Sequence, residues 1–168
     1  MSQHPFDYLT LGEGRGRLIL TPCPGTKESS LEASLTQLRD AGAAAVLTLM
    51  PGEELENNRV TAMPALCEEL ELAWFHLPVE DDAAPEAAFE QAWAGARDQV
   101  LALLAQGRDV AIHCKGGSGR TGLMAAIILL ALEAPLTEAV QRVQALRPRA
   151  LGLAPHRDYL TSLALEDR

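Results

Sequence analysis

The chain has 168 residues, 48% hydrophobic and 22% charged, with 3 cysteines and a formal net charge of −9. That is enough chain to bury one core without staples, and the odd cysteine count argues against a disulfide framework and for a reducing, cytoplasmic compartment. The acidity disfavours nucleic acid or an anionic membrane as partner, and the longest apolar stretch, Gly122 to Leu132, is about half of what a bilayer span needs.

No basic segment leads into an apolar run at the start, so no secretory signal is expected. Basic charge is nearly all arginine, with only Lys27 and Lys115 as lysines, and together with the alanine richness this is a bacterial pattern of composition. In chain order, Tyr8 to Leu11 and Arg17 to Thr21 flank the glycine-rich turn at 12–16 and read as a β-hairpin. A helix follows, capped by Ser29 or Ser30, with Leu31, Leu35 and Leu38 as its apolar stripe and Gly42 beyond its end. Ala44 to Leu49 reads as a central strand, Pro51-Gly52 as a loop, Thr61 to Leu70 as a helix, and Leu72 to Leu77 as a strand ended by Pro78. An acidic loop, Glu80 to Pro85, separates it from a long amphipathic helix ending near Gly107. Asp109 to His113 has the apolar run of a buried strand; Thr121 to Leu132, Thr137 to Leu146 and His156 to Leu165 read as helices. The alternation predicts an α/β fold with a central, mostly parallel sheet flanked by helices, in a single domain over 1–168.

The chemistry is concentrated in His113-Cys114-Lys115-Gly116-Gly117-Ser118-Gly119-Arg120-Thr121-Gly122, where a buried strand runs through a glycine-dense turn into a helix. Glycine lets the backbone approach a ligand closely, and successive N–H groups at a helix N-terminus make a nest for an anion. A Walker-type loop is excluded because Gly119-Arg120-Thr121 lacks its lysine, and a dinucleotide loop would follow the first strand. Cys114 opens the turn; N–H dipoles around it favour the thiolate, which is the nucleophile. Arg120 closes the turn with a planar fork suited to a tetrahedral oxyanion. Thr121 can donate its hydroxyl to the sulfur and ease its departure, and His113 can orient the loop and support the thiolate. The amides of Lys115, Gly116, Gly117, Ser118 and Gly119 are the expected oxyanion cradle.

His113 to Gly122 resembles the His-Cys-x5-Arg-Ser/Thr signature of the cysteine-dependent protein phosphatases. Pro24-Gly25, Glu54-Leu55, Leu77-Pro78 and the Asp-x3-Pro that follows are similar to the small dual-specificity branch, and to the kinase-associated phosphatase within it. The resemblance implies a protein tyrosine phosphatase-like fold, a phosphocysteine intermediate, no metal or other cofactor, and a phosphorylated protein or peptide as substrate. It implies no particular partner kinase. It also implies an acid that protonates the leaving oxygen. Glu80, Asp81 and Asp82 are candidates, and the related loop carries its acid three residues after the strand-ending proline, which selects Asp81.

Lys115 matches the basic second position in the loop of the tensin-homologue phosphoinositide phosphatases, although Ser118 replaces their further lysine. Phosphoinositide hydrolysis is therefore an alternative, as is a non-catalytic phosphate-binding module, which would normally have lost Cys114 or Arg120. Sulfur or arsenate chemistry on a similar cysteine loop is disfavoured by His113, Thr121 and Asp81. Cys23 and Cys67 read as structural, and Arg147 and Arg149 as a solvated helix end. His156 falls where the kinase-associated phosphatase has glutamine, so the resemblance transfers no role to it.

Overall fold

A computed structural model describes residues 4–166, so the expected domain limits at 1 and 168 lie outside the described residues. The expected hairpin forms from β1 (Asp7–Leu9) and β2 (Leu18–Thr21), paired antiparallel with Tyr8 opposite Ile19. Helix α1 (Leu31–Asp40) starts at the Ser30 cap, whose side chain accepts from the Ala33 N–H, and buries Leu35 and Leu38. Strand β3 (Ala43–Thr48) follows, and β4 (Ala73–His76) lies beyond it. Helix α4 (Ala87–Ala105) returns the chain to β5 (Asp109–His113), and α5 (Gly119–Ala131), α6 (Leu136–Leu146) and α7 (Ala154–Glu166) complete it.

Two expectations are corrected. The Pro51-Gly52 loop is the start of a short helix, α2 (Gly52–Asn57), ahead of α3 (Met63–Glu69). It is too short to show a period, but Glu53 and Glu54 in its first turn complement the helix dipole and Leu55 is buried. The helix expected from Thr121 begins two residues earlier, at Gly119, because the glycine that reads as loop accepts helical dihedrals here. Arg120 thus joins Thr121 in the first turn of α5 and does not lie ahead of it.

The sheet order is β1-β2-β5-β3-β4, parallel throughout except for β1. Side chains alternate across it as strand geometry requires. Val110 and Ile112 enter the core under α4 to α7, whereas Ala111 faces the layer containing Leu35, Leu38, Met63 and Cys67. This is a three-layer α/β arrangement. The chain leaves β2 and β3 toward helices on one face and leaves β5, between them, toward α5 on the other. Such a switch opens a crevice at the carboxyl end of the central strand. Cys114 follows the last residue of β5.

Helix α5 buries eleven of its thirteen residues, so it runs through the core instead of lying on it. Gly122 makes that approach possible: a Cβ there would fall 2.6 Å from the Ala150 side chain.

Candidate active site

His113 stands between Thr21 and Thr48 in the register of the three neighbouring strands. Its Nδ1 lies 3.0 Å from the Cys114 carbonyl, which can only accept, so Nδ1 carries the proton. Nε2 then accepts from the Thr48 hydroxyl at 2.8 Å, and Thr48 accepts from Trp74 Nε1–H at 2.8 Å. Burial pushes the His113 pKa down to about 4, against the pull of its Cys114 hydrogen bond. The ring is therefore neutral at pH 7 and orients the loop through the Cys114 carbonyl; the sulfur takes its hydrogen bonds from other donors.

Cys114 is 4% exposed, and its Sγ receives the Gly117 N–H at 3.3 Å and the Thr121 hydroxyl at 3.2 Å. Gly117 has φ +82°, and a Cβ there would strike Pro22 N at 2.6 Å. Only glycine fits the tight packing of this turn against the end of β2. The Cys23 N–H donates to the Lys115 carbonyl at 3.0 Å, tying the same two segments together. Lys115 and Gly116 are exposed, and Ser118 and Gly119 half-buried, around the mouth of the turn.

Arg120 is 2% exposed, and two features that sequence reasoning missed hold its guanidinium. Glu54 on α2 pairs with both ends of the fork, at 2.7 Å to Nη1 and 2.8 Å to Nη2, and Nη1 also donates to the Val79 carbonyl at 3.0 Å. Burial works to lower the Arg120 pKa, but Glu54, with Cys114 and Asp81 behind it, outweighs burial and raises it. The remaining donor, Nε, is buried with no partner among the described residues. Asp81 is exposed, with Oδ1 3.6 Å from Arg120 Nη2. Asp82 beside it takes φ +59° and forms no ion pair within 4 Å among the described residues, while Glu80 accepts from the Ala83 N–H at 3.2 Å through its carbonyl.

Arg147 is not a solvated end. Its Nε donates to the Gly117 carbonyl at 2.8 Å, and its fork reaches the Leu20 carbonyl and the Asp7 carboxylate, so it braces the glycine turn from α6. Cys23 and Cys67 are fully buried, and burial pushes both thiols up to about 12. Among the described residues no group of three or more His, Cys, Asp or Glu side chains is placed to hold a metal ion, and no helix is long and apolar enough to cross a membrane.

Comparison with known proteins shows the fold and the family. Cyclin-dependent kinase inhibitor 3 of Rattus norvegicus is 28% identical over 119 residues, covering 68% of this chain and 55% of that protein, so the chain spans about half the length of this curated relative. A crystal structure of kinase-associated phosphatase with serine replacing its catalytic cysteine superposes with a TM-score of 0.85 at 22% identity, covering 98% of this chain and 96% of that one. PTPMT1 in complex with PI(5)P gives a TM-score of 0.69 at 17% identity, covering 89% and 90%. Both likenesses show the fold, a five-stranded mixed sheet flanked by helices in the manner of protein tyrosine and dual-specificity phosphatases. Residues 24–134, which include β2 only by its following loop but the whole cysteine turn and α5, match the model of the family described as Tc-R-P, polymorphic toxin system, DSP-PTPase phosphatase, and the chain belongs to that family.

Proposed function

We propose that the chain, as one phosphatase domain, hydrolyses phosphate monoesters of proteins or peptides through a phosphocysteine intermediate. One observation carries the reading: a cysteine sulfur hydrogen-bonded by Gly117 and Thr121, a buried arginine whose Nε has no partner among the described residues, and an aspartate 3.6 Å from that arginine meet at the end of β5. The Cys114 thiolate attacks phosphorus in line, the P–O ester bond breaks, and Asp81 gives its proton to the departing oxygen. Arg120 and the loop amides hold the equatorial oxygens as charge spreads over them. Water then attacks the phosphocysteine, Asp81 takes its proton, and sulfur leaves as a thiolate stabilised by Gly117 and Thr121.

Exposed Lys115 and a fold shared with a phosphoinositide-bound phosphatase favour a second reading, phosphoinositide hydrolysis, against which stands the net charge of −9. A panel of phosphopeptides and phosphoinositides separates the two. The central test is Cys114→Ser, which should abolish turnover of an aryl phosphate while vanadate or phosphate still binds, because the cradle and Arg120 survive. Turnover above roughly 1% of wild type would remove Cys114 as nucleophile, since the loss expected for an essential nucleophile is far larger.

A further inference from the structure

Glu80 to Ala83 form a hydrogen-bonded turn, closed by Ala83 N–H to the Glu80 carbonyl, with Asp82 in the left-handed conformation and Asp81 at its leading corner. The turn is held on its N-terminal side by Arg120, which donates to the Val79 carbonyl, and by Val79 N–H to the Leu49 carbonyl at 2.9 Å. On its C-terminal side the anchor is His156, in the first turn of α7 and 1% exposed, whose Nε2 lies 2.9 Å from the Ala83 carbonyl. A carbonyl only accepts, so Nε2 carries the proton. The Nδ1 is buried with no partner among the described residues, where the ring's one polar contact is with the turn that carries Asp81. Burying an imidazole with one of its two nitrogens unpartnered costs stability.

We propose that His156 is a positioning residue for proton transfer: its Nε2–H holds the Ala83 carbonyl and so fixes Asp81 over the phosphate cradle. The proposal rests on the reading of Asp81 as the acid. Displacing a catalytic group by about 1 Å can cost on the order of 10² in rate, so loss of the anchor should act on protonation of the leaving oxygen and leave oxyanion binding alone. His156→Leu removes the donor. His156→Gln carries an amide N–H at the reach of Nε2 and should rescue; His156→Asn is too short to do so.

The test measures kcat/KM across aryl phosphates of graded leaving-group acidity, with vanadate affinity as a second readout. His156→Leu should lose about 10-fold or more on poor leaving groups, little on the most acidic one, and keep its vanadate affinity; His156→Gln should recover most of the loss. In an Asp81→Asn background, His156→Leu should add almost nothing. A loss equal for all leaving groups, or no rescue by glutamine, overturns the proposal while leaving Asp81 as the acid. A flat leaving-group response in Asp81→Asn itself removes the acid reading and this proposal with it. NMR of the wild-type chain tests the anchor without any variant: His156 should be the Nε2–H tautomer, and an Nδ1–H tautomer overturns it.

Discussion

Arg120 shows why its guanidinium is not exchangeable for a simple charge. Glu54 grips both Nη atoms and Val79 takes a further hydrogen bond, which sets the plane of the fork and leaves Nε, on the proposed mechanism, as the donor to an incoming oxyanion. A lysine has neither the plane nor the second donor. Arg120→Lys should therefore lose nearly as much kcat/KM as Arg120→Ala, and a variant that recovers most of the activity would show that charge alone suffices. At the same scale the three cysteines separate by environment. Cys23 and Cys67 are fully buried thiols pushed up to about 12, whereas Cys114 sits at the crevice with two donors aimed at its sulfur. Brief alkylation at pH 6 should modify Cys114 first, as peptide mapping would show. Equal labelling of all three would mean that the donors do not favour the thiolate.

Among the elements, the Glu80–Ala83 turn and α2 do most to complete the site. The turn puts Asp81 within 3.6 Å of Arg120 while Asp82, one residue on, spends its place on a left-handed corner. Asp81→Asn should reduce turnover of ordinary aryl phosphates by about 10²-fold, with a smaller loss when the leaving group is already acidic. Asp82→Asn changes the same loop charge and should stay near wild type. The reverse pattern would place the acid one residue later. Helix α2 matters for a different reason: its one and a half turns exist to carry Glu54 to Arg120, and Leu55 anchors them in the core under α1 and α3. The glycine turn is braced likewise from outside, by Arg147 on Gly117.

At the scale of the whole molecule, the sheet centre is polar where it meets the site. His113 is fully buried and neutral, fixed by Thr48 of the neighbouring β3, which Trp74 of β4 holds in turn, and burial also lowers the pKa of His4 and His156. Between about pH 6.5 and pH 4 the unfolded chain takes a proton at His113 that the folded chain refuses. The stability from this group is thus full above pH 6.5 and falls as the pH falls through that window, by about 3 kcal/mol in total. Denaturant unfolding at pH 7.5, 5.5 and 4.5 should show the decline, and His113→Gln should show a shallower one from a lower starting point. Stability that stays constant down to pH 4.5 would mean that His113 is protonated in the folded chain.

What the sequence by itself determined follows from short-range patterns. Alternating apolar periods marked the strands and most helices, Ser30 marked the α1 cap, and the run from Asp109 through the glycines to Thr121 put Cys114 and Arg120 on one turn between a buried strand and a helix. The spacing of Cys114 and Arg120 is local, so it survives any packing. The tertiary structure alone decided what surrounds them. Glu54 reaches Arg120 across 66 residues, His156 reaches Ala83 across 73, Thr48 reaches His113 across 65, and Arg147 reaches Gly117 across 30. Glu54 was marked only by its likeness to the dual-specificity branch and the others by no motif of their own, because their partners come from the crossing order of the sheet. A strand inserted between two earlier ones brings distant loops to one end, and only there does a glutamate on a short helix or a histidine on the last helix acquire its task.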